Sequence, residues 1–305
     1  MSNLLLVQIL NGLQYGVLLF LLAAGLTLVF GIMSFVNLAH GSLYMLGAYA
    51  AAVTSGLTGS FALSILVAAL AAGAIGMLLE YLVVTHLYRR DHLDHVLATF
   101  GLILFFNELV RIVWGVQPLF VQVPEFLNRA VWLFGMSYPA YRLAIIMVGL
   151  LVALGSYLLI HKTRMGMLIR AGSVNPAMVA ALGVNIRMLN AALFALGAML
   201  AGLAGAMAGP IVSVQSGMGE PVLITTLIVI VIGGIGSVAG AFYAALVVGL
   251  VDTLGRAYLS ALLRQITERS VADAAGPALA SMLVYLLMAC VLAWRPQGLF
   301  PARRG

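Results

Sequence analysis

The chain has very little charge: 8% of its 305 residues are Asp, Glu, Lys or Arg, while 64% are hydrophobic and the mean hydropathy is +1.14. Soluble domains carry about 25% charged residues. This composition therefore excludes an ordinary soluble domain and indicates a protein that crosses the lipid bilayer several times. The bilayer is its expected environment, and no nucleic acid partner is expected.

Lysine and cysteine are almost missing as well. A phosphate-binding loop of the Gly-Lys-Ser/Thr kind would have to use Lys162, the single lysine, but His161 precedes it and no glycine-rich turn leads to it. The chain does not hydrolyse nucleotide by that route, so any ATP would be used by a partner. The lone Cys290 excludes an internal disulfide and a cysteine-clustered metal site, and it is expected to be a small core residue.

Neither a cofactor, a metal site nor a catalytic centre is predicted for this chain. The residues show no spacing of nucleophile, base and orienting group that is typical of an enzyme, although spacing does not test a site assembled in three dimensions. We therefore expect that the chain is not itself an enzyme.

Long apolar runs predict an all-α bundle of about eight to nine transmembrane helices, with room for re-entrant or broken segments, in a single permease domain over residues 1–305. The predicted spans are residues 4–30, 38–56, 61–84, 95–114, 143–160, 189–213, 222–238, 240–258 and 277–294. The stretch from 222 to 258 is long enough for two passes, or for one pass and a re-entrant turn, with a break at GGIGS.

Basic residues cluster at Arg89 and Arg90, between Lys162 and Arg187, and from Arg295 to Arg304. Because cytoplasmic loops carry an excess of Lys and Arg, all three clusters are predicted to be cytoplasmic, and so is the carboxyl terminus. The side of the amino terminus is open, since it depends on whether residues 38–56 cross or re-enter.

The polar sequence NLAHGS interrupts two apolar runs near the amino end. Polar groups survive in hydrocarbon only where protein or a water-filled path satisfies them. Asn37, His40 and Ser42 are therefore candidates for the substrate pathway. The alternative is that Asn37 and His40 only satisfy backbone groups that a broken helix leaves free.

The loop of residues 162–188 contains capping signals for a short helix. Asn175 can cap it, Pro176 suits its first position, and Gly183 can end it in a left-handed conformation. Such a helix carries small apolar residues at Ala177, Ala180 and Ala181, and it could insert into a groove of a partner. The alternative is an amphipathic connector at the membrane surface.

Two charge pairs lie within apolar runs. Glu108 and Arg111, and likewise Asp252 and Arg256, are three or four residues apart and share a helix face. Each pair can neutralise itself inside the bundle, or it can serve as a proton or ion relay. The glycine-rich stretch GGIGSVAGA allows close helix contacts and could also mark a broken helix beside the pathway.

Several of these segments, in this order, resemble one known family, the permease subunits of bacterial ABC importers for branched-chain amino acids, specifically the shorter H-type half. The resemblance is carried by GLTLVFGIMSFVNLAHGSLYMLGAY, LYRRDHLDHVLATFGL, TRMGMLIRAGSVNPAMVAALGVN, FALGAMLAGLAGAMAGP, VIGGIGSVAGAF and WRPQGLF. The chain departs from the family pattern at Glu220 and Pro221, where a more apolar approach to the next helix is expected.

The resemblance implies a multi-pass subunit of the bacterial inner membrane. It implies a second homologous permease subunit, two cytoplasmic ABC ATPase subunits and a periplasmic substrate-binding protein as partners, and transport of branched-chain or other apolar amino acids. The segment from Arg170 to Asn185, including Asn175, Pro176, Ala177, Ala180, Ala181 and Gly183, would then touch the ATPase.

Two other functions fit the residues alone. A stand-alone ion-coupled secondary transporter for a small solute would use Asp252, Glu108 or His40 as its coupling site. A membrane protein that does not transport, such as an intramembrane enzyme or an assembly scaffold, is the third interpretation.

Overall fold

The computed structural model describes residues 2–33, 35–88, 90–133 and 135–300 of the chain. They form a helical bundle with one β-hairpin. The elements in chain order are α1 Ser2–Met33, α2 His40–Thr58, α3 Phe61–Leu79, a π-helical turn Glu80–Val84, α4 Thr85–Leu87, α5 His92–Trp114, β1 Ala130–Leu133, β2 Met136–Pro139, α6 Ala140–Lys162, α7 Arg164–Val174, α8 Pro176–Ala181, α9 Ile186–Ala208, α10 Gly219–Gly233, α11 Val238–Leu263 and α12 Arg269–Trp294.

Each of the predicted spans corresponds to a helix. In the described part of the chain, seven helical segments are long and apolar enough to cross a bilayer, and α2 and the shorter α10 account for the other two. The polytopic all-α prediction is therefore confirmed. The predicted span 189–213 extends too far, because α9 ends at Ala208 and is followed by Gly209 and Pro210. The hairpin β1–β2 was not predicted.

The helices alternate between two ends of the bundle. At one end, called here the hairpin end, the β-hairpin meets α1: the Tyr138 hydroxyl donates a 3.1 Å hydrogen bond to Oδ1 of Asn11. The ends of α6 and α9 meet there too, where the Tyr141 hydroxyl donates to the Met207 carbonyl at 2.7 Å. The opposite end, called the α8 end, brings Met33 beside Pro176.

The two central helices, α1 and α9, are much more buried in the bundle than the peripheral helices. The apolar window of α1 is 83% buried and that of α9 is 67% buried, whereas the window of α6 is 11% buried. The peripheral helices thus present apolar side chains outward, as lipid contact requires. Cys290 belongs to such a surface on α12: it is exposed, and the prediction of a core position was wrong.

Glycines let the central helices approach closely. A Cβ built on Gly25 would lie 2.5 Å from the carbonyl oxygen of Gly197, and one built on Gly16 would lie 2.7 Å from that of Ala245. These contacts pack α1 against α9 and against α11. The close contact predicted for the stretch GGIGSVAGA is also present, because a Cβ built on Gly233 would lie 2.5 Å from the carbonyl carbon of Gly240.

The GGIGS break is present at the α8 end. Helix α10 ends at Gly233, Gly234 and Gly236 have positive φ of 102° and 83°, and the Ser237 hydroxyl caps α11 by accepting from the Gly240 amide. The segment after α12 returns to this turn, where the Leu299 amide donates to the Ile232 carbonyl at 2.8 Å. Residues 222–258 therefore contain most of α10 and the spanning helix α11, joined by this turn, and α10 with its 15 residues is too short to cross a bilayer by itself.

Three of the predicted cytoplasmic basic residues, Arg89, Arg303 and Arg304, lie outside the described residues. The other members of the three clusters, from Arg90 to Arg295, lie at the α8 end or in the loops that join helices there.

Candidate functional site

The interruption at NLAHGS is a real break between two helices. Helix α1 ends at Met33 and α2 begins at His40. Phe35 lies at the α8 end, with its ring centroid 4.7 Å from that of His95. His40 contacts Leu22, which lies 11 residues, or about 16 Å, before the end of α1 at Met33. The irregular residues 35–39 thus return into the interior of the bundle, and α2 completes the crossing.

His40 and Asn37 are both buried at this break, at 1% and 2% exposure. Nε2 of His40 lies 3.2 Å from the Leu22 carbonyl oxygen, which only accepts, so this nitrogen carries the proton. Nδ2 of Asn37 has no hydrogen-bond partner among the described residues. The two side chains lie inside the protein, and neither of them lines the groove described next.

Ser42 does line a groove, together with residues of α5 and α10. The walls of this groove are Leu38, Gly41, Ser42, Met45, Ile103, Asn107, Gly219, Glu220 and Leu223, and the space between them is too small to hold a water molecule. Nδ2 of Asn107 donates a 2.6 Å hydrogen bond to Oε1 of Glu220, across 113 residues of sequence. Both groups belong to helices in the apolar part of the chain, and neither was predicted as a site residue.

Local capping forms the short helix α8 as predicted. Oδ1 of Asn175 accepts a 2.9 Å hydrogen bond from the Met178 amide, Pro176 is the first helical residue, and Gly183 has φ +87°. The Val184 amide then donates to the Val179 carbonyl at 3.3 Å, which closes the carboxyl end. The helix therefore keeps its shape by its own sequence.

One face of α8 is bound to the bundle and the rest is exposed. Val179 is 5% exposed and anchors the helix, while Ala177, Ala180 and Ala181 are exposed. Larger apolar neighbours are exposed too, including Leu182 at 77%. Arg170, predicted to take part in the same contact, donates to the Ile160 carbonyl and so ties α7 to the end of α6.

Both predicted charge pairs form. Glu108 and Arg111 are joined at 2.9 Å on the exposed side of α5. Arg256 makes two hydrogen bonds to the Asp252 carboxylate, at 2.8 and 2.9 Å. The Asp252 side chain is 10% exposed and that of Arg256 is 48% exposed, so this second pair is the more buried one. The pairing is confirmed, but the predicted position inside the bundle was wrong for Glu108 and Arg111, whose side chains are both exposed. The relay stays an untested alternative.

A buried carboxylate at Glu80 was missed. Glu80 is 1% exposed, and its Oε1 accepts from the Tyr88 hydroxyl at 2.9 Å and from the Thr85 hydroxyl at 3.2 Å. The π-helical turn, which starts at Glu80, lies where α3 nears the α8 end. Burial, and then the Glu80 carboxylate, raise the pKa of Tyr88, so its hydroxyl stays a neutral donor. The sequence did contain a signal for this site, because Glu80 is the only acidic residue in the predicted span 61–84 and a carboxylate within a span needs a polar partner.

Beside Tyr88 lies a cavity of about 260 Å³ at the α8 end. It is lined by Met33, Tyr88, Gly172, Pro176, Ile186, Leu189 and Asn190. The buried Oδ1 of Asn190 has no hydrogen-bond partner in the described part of the chain. Helices α7, α8 and α9 are therefore not tightly packed against the end of α1 here.

The chain is similar to several curated permeases. It is 29% identical to the high-affinity branched-chain amino acid transport system permease protein LivH of Salmonella typhimurium, over 83% of this chain and 86% of that protein. It is 30% identical to LivH of Escherichia coli K12, over 83% and 86%. It is 28% identical to the permease protein BraD of Pseudomonas aeruginosa, over 96% and 94%. No solved structure matches the chain significantly.

Residues 8–292 match the model of one family, described as the permease component of branched-chain amino acid transport systems. The match covers nearly all of the bundle, from the first turns of α1 to the last turn of α12, and includes the break, the groove and α8. The chain therefore belongs to the family of branched-chain amino acid transport system permease components.

Proposed function

We propose that this chain is a permease subunit of an ABC importer that moves branched-chain or other apolar amino acids across the plasma membrane. Its partners would be a second, homologous permease, two ABC ATPase subunits on the cytoplasmic side and a substrate-binding protein on the outer side. The partners would bind and hydrolyse ATP, and this chain would bind no cofactor. Family membership supports the transport role, because the matched relatives carry that name.

The observation that carries the proposal is the exposed helix α8. It is a rigid, capped, apolar helix at one end of a membrane bundle, and such a helix fits a groove of a soluble partner. Large exposed apolar surfaces outside the bilayer are typical of contact sites. The sequence predicts a face of small apolar residues, Ala177, Ala180 and Ala181. Two larger apolar residues beside it are also exposed, Leu182 at 77% and Met178 at 59%.

The distribution of basic residues supports a cytoplasmic position for α8. Among the described residues, the α8 end and its loops carry Arg90, Lys162, Arg164, Arg170, Arg187 and Arg295. The hairpin end and its loops carry Arg111, Arg129, Arg142, Arg264 and Arg269, of which Arg111 and Arg264 are paired with Glu108 and Asp273. The positive-inside rule thus favours a cytoplasmic α8 end. The amino end of α1, which lies with the hairpin, is then outside.

Transport would follow from movement of α8. Closure of the ATPase pair would push α8, and α7 and α9 would pass this motion to the central helix α1. The cavity of about 260 Å³ between these helices leaves room for such a shift. ATP binding would then favour one of two bundle conformations, because the ATPase pair would bind that conformation more tightly.

The experiment is purification of the tagged chain from its native host in mild detergent, with identification of stoichiometric partners by mass spectrometry. A matched variant carries a flexible linker in place of residues 173–183. We expect the native chain to recover a second permease and an ATPase, and the variant to keep the permease and lose the ATPase. Recovery of the native chain alone, in an active preparation, would contradict the proposal.

A further inference from the structure

The outer surface of the bundle is apolar on one side. Residues 61–79 of α3 and residues 143–160 of α6 contain no Asp, Glu, Lys or Arg. Leu70 on α3 is 53% exposed and Leu151 on α6 is 63% exposed, as contact with lipid tails requires. The exposed sides of α5 and α10 differ from these two helices, because they carry charged side chains.

The polar groups on that other side lie at one depth. Asn107 of α5 donates a 2.6 Å hydrogen bond to Oε1 of Glu220, and it lies seven residues, or about 10 Å, before the end of α5 at the hairpin end. Glu108 is exposed beside it, and Arg256, also seven residues before the end of its helix α11, is half exposed. Helix α5 has 23 residues and is about 34 Å long, whereas the hydrocarbon core of a bilayer is about 30 Å thick. These four residues, called here the polar band, therefore lie within the hydrocarbon region.

Helix α10 connects the two parts of the polar band. Its first turn carries Glu220, and Tyr15 of α1 lies near both Thr225 of α10 and the pair of Asp252 and Arg256. With 15 residues, α10 begins about 21 Å from its end at the α8 end, which is inside the bilayer core. The start of a helix and the loop before it have backbone groups that hydrocarbon does not satisfy. Protein or water must therefore cover this face.

The exposed apolar residues of α5 distinguish between these two covers. Leu97, Phe100 and Leu104 are 61%, 52% and 53% exposed, and their spacing of three and four residues places them on the same helix face as Asn107. Lipid tails would fit these three side chains but not the polar band, and a water-filled path would fit the band but not these side chains. A transmembrane helix of another subunit fits both, because it offers apolar side chains along its length and can place a polar group opposite Glu220.

Glu220 is the group with which such a helix would pair. None of the three ion pairs among the described residues includes Glu220. Its Oε1 accepts from Asn107, and within the same residues nothing donates to Oε2. A carboxylate that lies exposed at this depth is costly without a partner, so a cation or a hydrogen-bond donor on the facing helix would stabilise the contact.

We propose that the exposed sides of α5 and α10, here called the α5–α10 face, form the contact surface for the second, homologous permease subunit. A helix of that subunit would pack along Leu97, Phe100 and Leu104 and would place a cationic or hydrogen-bond-donating side chain opposite Oε2 of Glu220. The polar band would then fix the register of the two subunits, because a shift along the helix axis would leave Glu220 unpaired in the membrane. This inference rests on the proposed function, which requires a second permease but leaves its position open.

The first test is photo-crosslinking in native membranes. The photoreactive residue p-benzoyl-L-phenylalanine replaces Leu104 on α5 or Ile224 on α10, and in the controls it replaces Leu70 on α3 or Leu151 on α6, which are also at least 49% exposed. Mass spectrometry then identifies the chain that is joined to each probe. We expect both probes on the α5–α10 face to be joined to the second permease, and the controls to give at least tenfold less of this product.

Three results would overturn the proposal. Crosslinking to the second permease from α3 or α6 instead of α5 and α10 would overturn the surface, and so would the absence of any crosslinked polypeptide from Leu104 and Ile224. Crosslinking of these two probes to a second copy of this chain would overturn the occupant. If the native chain copurifies with no second permease at all, the proposed function fails first, whereas a copurified permease that is crosslinked elsewhere refutes only the surface.

The second test reverses the charge at Glu220. In Glu220→Arg the new cation would face the group that pairs with the native carboxylate, so we expect recovery of the second permease with the tagged chain to fall at least tenfold at equal amounts of inserted chain. Glu125→Arg makes the same change at an exposed carboxylate in the loop before β1, and its recovery should be native. Native recovery in Glu220→Arg would overturn the pairing of Glu220. The crosslinking probes keep Glu220, so they test the surface even if Glu220→Arg disturbs the fold.

Discussion

Nε2 of His40 donates to the Leu22 carbonyl oxygen at 3.2 Å, so the first residue of α2 is tied to the middle of α1. Both partners are buried, and the bond spans the break that the polar sequence NLAHGS introduces. It fixes where α2 starts, and with it the position of Ser42 in the groove.

The first prediction concerns this bond. His40→Ala removes a buried donor and leaves a void, which should lower the free energy of unfolding by about 1–3 kcal/mol. The measurement is the midpoint of thermal unfolding of the purified chain in mild detergent. His92→Ala, which truncates an exposed histidine in α5, is the control and should unfold at the native temperature. Equal midpoints for the native chain and His40→Ala would contradict the structural role of this bond.

The second prediction concerns helix packing at Gly47. A Cβ on Gly47 would collide with the backbone of Gly202, so Gly47→Ala forces α2 away from α9. We expect a loss of about 1–3 kcal/mol, measured as a lower unfolding midpoint. Gly56→Ala in the same helix meets nothing within 4 Å and is the matched control. If the two variants lose equal stability, α2 and α9 do not pack as described.

The third prediction concerns the cap of α8. Asn175→Ala removes the acceptor for the Met178 amide and should destabilise α8 by about 1 kcal/mol. Asn175→Asp keeps an acceptor at the same position. In the purified importer, we expect ATP hydrolysis stimulated by the binding protein to fall several-fold in the first variant and to persist in the second. Native stimulation in Asn175→Ala would show that coupling does not need a preformed α8.

The fourth prediction concerns Asp252 and Arg256. Their two hydrogen bonds predict a favourable coupling energy, on the order of 1 kcal/mol since Arg256 is half exposed, in a double-mutant cycle of Asp252→Ala and Arg256→Ala. If the pair has only a structural role, the importer that carries Asp252→Asn should still take up leucine when ATP is supplied and no ion gradient is present. An uptake that stops in this variant while its stability is native would favour the relay interpretation.

The fifth prediction concerns the missed carboxylate. Glu80→Gln keeps an oxygen that can accept from Tyr88 and Thr85, whereas Glu80→Ala leaves both hydroxyls without it. We expect Glu80→Ala to lose about 1–3 kcal/mol and Glu80→Gln to lose less. Thermal unfolding in detergent measures both. Equal losses would mean that the hydrogen bonds of Glu80 do not stabilise the turn.

Most of the helices could be predicted because their signals are local. A run of about 20 apolar residues is sufficient to identify a span, and Asn175, Pro176 and Gly183 define both ends of α8 through their own backbone preferences. The pairs Glu108–Arg111 and Asp252–Arg256 are also local, since the partners are three and four residues apart. In each case the interacting groups are neighbours on one helix.

The groove could not be predicted because its parts are distant in the sequence. Asn107 and Glu220 meet only after α5, the loop before α10 and α2 have packed together. The same holds for Tyr138 and Asn11, which are 127 residues apart and place the amino end of α1 beside the hairpin. Glycine contacts such as Gly41 on Gly219 depend on helix order, which apolar runs do not encode.

The measurement that tests the central claim most directly is leucine uptake into proteoliposomes that contain this chain with its copurified partners and the binding protein. ATP is supplied on the ATPase side, and ionophores remove every ion gradient. The account predicts uptake that requires ATP and stops when Ala180 and Ala181 are both replaced by glutamate, with the chain still inserted in the membrane. Uptake by the chain alone, driven by an ion gradient and indifferent to ATP and to these two replacements, would contradict it.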